Sequence, residues 1–297
     1  MLVGILLHRL GLFSDEFATK ANNFVFQVAL PVLLFSDLST VDFSQVLDLK
    51  FIFFCFAVTL LSIVIVTAIS FLWRDRSIQG EFIQASYRSS AALLGIAYIT
   101  NIYGNSGMAS IMIIGCVPLY NIMAVVVLSF FRPGTKKTDT ALVKKTVKGI
   151  CTNPIILGIL AGLLWSALHL PMPSILKKTV SSVGGIATPL GLMAMGTSFN
   201  VKKALGKLKP SVTAACIKLF GLPLLFLPIA VFFGFRNESL TAILVMLGSA
   251  TTVTSYVMAK NMGHEGVLSS NVVMLTTLLS SVSLTFWLWL LRSLGCL

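Results

Sequence analysis

Hydroxyl side chains are concentrated in one apolar stretch of the chain, residues 247–263. The group consists of Ser249, Thr251, Thr252, Thr254 and Ser255, and Tyr256 follows it directly. A helix that faces lipid gains nothing from such a run, because each hydroxyl needs a hydrogen-bond partner in hydrocarbon. A helix that lines a wet cavity, or that is locally unwound around a solute, can use all of them. The run therefore predicts one half of a solute-binding site.

The other half is predicted at residues 86–104, which contribute the candidate binding residues Arg88, Ser89, Ser90, Gly95, Tyr98 and Asn101. Arg88 can hold an anion with two hydrogen bonds or guard the inner mouth of the site. The alternative for Arg88 is that its side chain extends to the cytoplasmic lipid headgroups. The alternative for each Ser and Thr is a hydrogen bond to a carbonyl of its own helix.

The elements that must carry these residues are membrane helices. Hydrophobic residues make up 56% of the chain, charged residues 11%, and the mean hydropathy is +0.93. These values exclude an ordinary soluble domain and predict an all-α polytopic membrane protein. We count about ten apolar segments, at residues 1–12, 22–38, 51–73, 83–103, 107–131, 150–168, 175–199, 212–235, 240–261 and 266–291. The first segment is expected to be short or truncated.

The net charge of +12 follows the alternation of these segments. Most Lys and Arg residues fall in alternate loops, which by the positive-inside rule places both termini outside and a basic linker, residues 132–149, in the cytoplasm. The basic excess is thus assigned to topology and anionic lipid, and no nucleic acid partner is expected. We expect a multi-pass protein of the bacterial inner (plasma) membrane. All acidic residues, including Glu81, are assigned to loops, so no carboxylate is expected inside the membrane to carry a proton or anchor sodium.

An internal repeat divides the chain. The sequence around Pro31 matches that around Pro189 in type and spacing, and both prolines are predicted to kink their helices. The repeat predicts two five-helix halves, residues 1–131 and 150–297. An odd number of helices per half inverts the second half, which places a site near the midplane where the discontinuous fourth and ninth helices cross.

No enzyme chemistry is predicted. The five cysteines are scattered, and no metal-ligand spacing or Ser/His/Asp arrangement is present. We expect no disulfide, no metal and no cofactor. Gly158 and Gly162 form a G-x-x-x-G pattern, which predicts a close helix–helix contact.

The chain resembles the auxin efflux carrier family, which includes plant PIN-FORMED carriers and bacterial dicarboxylate permeases. The resemblance rests on residues 23–31 (NFVFQVALP), 87–90 with Gly95, 153–158 (NPIILG), 187–196 (ATPLGLMAMG) and 255–260 (SYVMAK). It implies ten helices in a bile-acid-symporter-like fold, a crossover of helices 4 and 9, and a homodimer. It also implies a scaffold of helices 1, 2, 6 and 7 beside a transport bundle of helices 3–5 and 8–10. This chain has Ala97 and Ser249 where the family often has crossover prolines, and Ser90 where an asparagine is usual, so Gly95 and the hydroxyl run are expected to loosen the helices.

The sequence therefore favours a secondary active or facilitative efflux carrier for small organic anions, which moves its substrate by an elevator-type shift of the transport bundle. One alternative is a permease that takes up dicarboxylates with sodium or protons. An alternative of another class is a membrane sensor or scaffold that binds a ligand without moving it.

Overall fold

The computed structural model describes residues 1–39, 48–104, 107–134 and 149–297, and throughout these ranges the chain is helical, without strands. The main helices are α1 (Leu2–Arg9), α2 (Asp15–Ser39), α3 (Leu49–Ser70), α4 (Gln79–Tyr87), α5 (Ala91–Tyr103), α6 (Gly107–Phe130), α7 (Pro154–Ala167), α8 (Ser174–Thr197), α9 (Val201–Gly206), α10 (Leu208–Phe232), α11 (Asn237–Gly248), α12 (Thr254–Asn261) and α13 (Val267–Ser293). The predicted linker 132–149 lies outside the described residues except at its two ends.

Six of these helices, α2, α3, α6, α8, α10 and α13, are long and apolar enough to cross a membrane. They contain 22 to 27 residues, which at about 1.5 Å per residue covers the roughly 30 Å hydrocarbon core. The other predicted segments correspond to the eight-residue α1, the fourteen-residue α7 and two interrupted pairs, α4 with α5 and α11 with α12. The prediction of an all-α, multi-pass membrane protein is confirmed.

The helical backbone is irregular beside both repeated prolines. In α2, Pro31 follows a π-helical turn at Val25–Ala29, and in α8 the helix is interrupted at Ile186, shortly before Pro189. Proline lacks the amide that would continue the ladder of hydrogen bonds, and a π turn or an interruption absorbs that loss. A second π turn, at Ile217–Gly221 of α10, has the same relation to Pro223, and it carries Lys218.

One group of helices packs closely through glycines. A Cβ atom on Gly158 of α7 would lie 2.5 Å from the carbonyl oxygen of Pro31 in α2, and one on Gly162 would lie 3.0 Å from that of Phe35. The contact predicted from the G-x-x-x-G pattern is therefore present. Helices α1 and α8 pack in the same group, since Gly4 of α1 is pressed against the backbone of α8.

A second group is formed by α3–α6 and α10–α13. Helix α3 packs on α4 and α6, α5 on α6 and α11, and α10 on α11 and α13. The two groups meet mainly where α12 contacts α2 and α8. Both pairs of interrupted helices belong to this second group.

Candidate solute-binding site

The helical backbone is interrupted within both stretches that the sequence singled out. The first break, residues 88–90, separates α4 from α5, and the second, residues 249–253, separates α11 from α12. The two breaks touch: the Ser90 amide donates a hydrogen bond of 2.9 Å to the Ala250 carbonyl oxygen. The Thr251 hydroxyl donates to the Ala85 carbonyl oxygen at 2.8 Å. The contact therefore joins residues that are far apart in the chain.

The first break was predicted too far along the chain, near Gly95 and Ala97, whereas it lies at residues 88–90. Gly95 and Ala97 lie inside the regular helix α5, and the backbone leaves the helix at Arg88, where ψ is 130°. Neither break contains glycine or proline. Serine and threonine compete for backbone hydrogen bonds and weaken a helix locally, and the bond between the breaks holds the open conformation. Gly95 has a packing role instead, because a Cβ atom there would meet the Met112 side chain at 2.7 Å.

Arg88 is directed into the protein, which contradicts the alternative that it extends to the headgroups. Its side chain is only 3% exposed. Its guanidinium donates from Nη1 to the Met258 sulfur at 2.8 Å and from Nη2 to the Asn121 amide oxygen. A guanidinium has five N–H donors and pairs best with a carboxylate, but in the described residues these two acceptors are uncharged.

Lys218 is a second buried cation, and sequence reasoning did not include it in the site. It is fully buried, and its Nζ contacts the carbonyl oxygens of Tyr87 at 3.1 Å and Leu247 at 2.6 Å. It also contacts the Ser89 hydroxyl and, at 3.4 Å, the Met246 carbonyl oxygen. These contacts are at the C-terminal ends of α4 and α11, where helix dipoles are negative. The available signal was a lone lysine in the apolar segment 212–235.

The predicted hydroxyls lie along the breaks, and those with resolved partners do not bond to their own helices. Ser89 donates to the Met246 carbonyl oxygen of α11, and the hydroxyls of Thr252 and Thr254 are 2.8 Å apart. Within the described part of the chain, the hydroxyls of Ser249 and Ser255 are buried and have no hydrogen-bond partner. Buried polar groups are normally satisfied, so these two hydroxyls remain able to bond to water or to a solute.

Three predicted residues lie outside the two breaks. Tyr98 is half-buried, and Asn101 is exposed, eleven positions beyond Ser90 and about 16 Å further along α5. Tyr256 is buried but faces a cleft between α8, α12 and α13, which is also lined by Ser198 and Lys260. The structure therefore brings neither the Asn101 nor the Tyr256 side chain to the breaks.

The assignment of Glu81 to a loop was wrong. Glu81 lies in α4 and is 2% exposed, and its two carboxylate oxygens accept hydrogen bonds of 2.9 Å from the amides of Gly266 and Ser269 at the start of α13. Both carboxylate oxygens of Glu81 therefore bond to a helix N-terminus.

Neither Arg88 nor Lys218 forms an ion pair within the described ranges.

The fold and the site together define a class: a multi-pass α-helical membrane protein with two broken helices that meet at a polar, cationic centre inside the protein. Comparison with known proteins gives the family. The family model described as "membrane transport protein" matches residues 1–288, and the chain belongs to this family, in agreement with its resemblance to auxin efflux carriers. The chain is also 24% identical to an uncharacterized transporter of Methanothermobacter thermautotrophicus, over 97% of this chain and 93% of that protein.

Proposed function

We propose that this membrane transporter carries small organic anions, with the site at the two facing breaks. One observation carries the proposal. Arg88 and Lys218 are buried and bond to the two interrupted segments, which also carry the buried, unpartnered hydroxyls of Ser249 and Ser255, and no carboxylate pairs with either cation among the described residues. A buried charge is costly unless it is paired, so an anionic solute is the ligand that this centre favours.

The orientation of the helix termini also favours a negatively charged substrate. Helices α5 and α12 begin at the breaks, so their N-terminal ends face the centre and add positive potential. The C-terminal ends of α4 and α11 are already occupied by the Lys218 ammonium. A carboxylate can therefore accept hydrogen bonds from Arg88, from the hydroxyls and from the start of the two helices. Export of an anion is driven by an inside-negative potential worth about 2.3 kcal/mol per charge per 100 mV.

The movement we propose is a displacement of α3–α6 and α10–α13 against α1, α2, α7 and α8. We also propose that the two halves of the chain form an inverted repeat with the substrate at the crossover. In this arrangement both termini face outward. The narrow contact of α12 with α2 and α8 supports this division.

The movement is tested by introducing cysteines at Gly191 of α8 and Val257 of α12 in a variant without native cysteines. The two positions are close, because a Cβ on Gly191 would lie 3.2 Å from the Val257 side chain. A short thiol cross-linker should stop flux while substrate still binds; unchanged flux in fully cross-linked protein contradicts the movement.

The transport experiment uses purified protein in proteoliposomes with a panel of mono- and dicarboxylates, with and without an imposed potassium-diffusion potential. We expect saturable flux of at least one carboxylate, accelerated by a potential that drives the anion out. Flux that strictly requires sodium or a pH gradient and ignores the potential would favour coupled uptake. Saturable binding without flux would favour a sensor.

The site itself is tested by substitutions with a matched control. Ser249→Ala and Ser255→Ala each remove an unpartnered buried hydroxyl, and Arg88→Lys removes the planar fork that binds a carboxylate at two points. Each should weaken substrate affinity about 10-fold or more, the effect of losing one charge-assisted hydrogen bond. Ser86→Ala is the control, since that buried hydroxyl bonds to Phe82 of its own helix. Equal affinities in all four variants would contradict the location of the site.

A further inference from the structure

The surroundings of Lys218 have the composition of a cation-binding site. Its ammonium is surrounded by the carbonyl oxygens of Tyr87, Met246 and Leu247 and by the hydroxyl of Ser89. Each is an uncharged oxygen, and the side chain that reaches them is fully buried. An ammonium has three donors, so the carbonyls and the hydroxyl use all of its capacity. Lys218 therefore has no donor left for a substrate.

The same oxygens are suitable ligands for a monovalent metal cation. Carbonyl oxygens at the ends of broken membrane helices coordinate sodium in transporters, and carbonyls replace the hydration shell of ions in channels. The set contains no carboxylate, which divalent cations generally require. The two helix C-termini add negative potential from both sides.

We propose that Lys218 is a tethered cation that occupies a monovalent cation site at the crossover. The tethered charge holds the C-terminal ends of α4 and α11 together, so the protein needs no free sodium ion to assemble its substrate site. Removing the side chain leaves a cage of four oxygens that binds sodium. This inference deepens the proposed transport function, but sodium binding is measured without substrate and without flux.

The experiment compares wild type, Lys218→Ala and Lys218→Met in detergent micelles. Thermal unfolding is followed by circular dichroism in sodium chloride, in methylammonium chloride and in choline chloride at equal ionic strength. Lys218→Ala removes both the charge and the volume. Lys218→Met removes the charge but keeps the cage filled with an aliphatic chain, and is the matched control.

We expect the midpoint of Lys218→Ala to rise by several degrees, saturably, with sodium or methylammonium relative to choline. Wild type and Lys218→Met should show no such difference. A sodium-specific rise in wild type overturns the proposal, and so does a Lys218→Ala variant that fails to fold in both sodium and methylammonium or that responds to neither.

The two proposals fail in distinguishable ways. If Lys218→Ala binds sodium but no protein moves any carboxylate, the cation site stands and the transport function is wrong. If wild type moves carboxylates and Lys218→Ala ignores sodium, the transport function stands and the tethered-cation inference is wrong. In a working carrier, Lys218→Ala should acquire a requirement for sodium that wild-type flux lacks.

Discussion

Glu81 gives the sharpest stability prediction, because the chain provides a matched glutamate. Glu81 is buried and accepts two hydrogen bonds of 2.9 Å from the amides that begin α13. Glu238 is partly buried and accepts one of 3.0 Å from the Met108 amide, at the start of α6. Both carboxylates therefore cap a helix N-terminus, and they differ in burial and in the number of bonds.

Glu81→Gln keeps the shape of the side chain and one oxygen acceptor but turns an amide donor towards one of the two backbone amides. The variant loses a charge-assisted hydrogen bond, leaves a buried N–H unsatisfied and loses the favourable charge at the helix terminus. Relief of a buried charge offsets part of this, and the net loss should be about 2–4 kcal/mol. Glu238→Gln should lose about 1 kcal/mol or less, since water can replace the single bond.

Equilibrium unfolding in mixed micelles of a mild detergent and SDS, followed by helical circular dichroism, measures both changes. The free energy of unfolding should fall clearly more for Glu81→Gln than for Glu238→Gln. Equal losses, or a loss below about 0.5 kcal/mol at Glu81, would refute the capping argument.

Three further predictions use the same unfolding assay. Gly158→Ala should destabilise the protein by about 1–3 kcal/mol, because the added methyl group collides with the α2 backbone; Gly185→Ala, with nothing within 4 Å of the new atom, should be neutral or stabilising. Thr251→Val should lose about 1–3 kcal/mol by breaking the bond from the second break to the Ala85 carbonyl of α4, whereas Thr67→Val, whose hydroxyl bonds within α3, should lose much less. Burial lowers the pKa of His264 from 6.5, and its Nδ1 has no partner in the described structure, so stability should fall by up to about 1.4 kcal/mol per pH unit below pH 6.5. His264→Gln should remove that pH dependence; an unchanged slope would contradict it.

The class of the protein and the two stretches in which helices are interrupted can be predicted from sequence for a simple reason. Hydropathy fixes where helices enter lipid, and a hydroxyl run such as Thr251–Ser255 has no stable place on a lipid-facing helix. The position of the first break could not be predicted in the same way. No proline marks it, and it depends on a bond from Ser90 to a carbonyl in the other half of the chain.

The assignment of Glu81 to a loop was wrong, and Lys218 was not included in the predicted site, because the partners of both residues are mainly backbone groups. Lys218 binds carbonyl oxygens at the ends of two other helices, and Glu81 binds amides at the start of a third. Every residue has these groups, so the sequence does not show which of them are free. Only the termination of helices in three dimensions exposes them.

The bonds of α4 also bear on how the protein is synthesised. Glu81 leaves the ribosome long before its partner, the Gly266 amide 185 positions later, and Arg88 long before Met258, 170 positions later, although its other acceptor, Asn121, follows after 33. A charged residue near the centre of an inserting helix costs about 2.5–3.5 kcal/mol, so α4 is poorly suited to stable insertion by itself. We expect this segment to reach its final packing only after α12 and α13 have been made. Assembly of the first half of the chain is therefore expected to depend on synthesis of the second half.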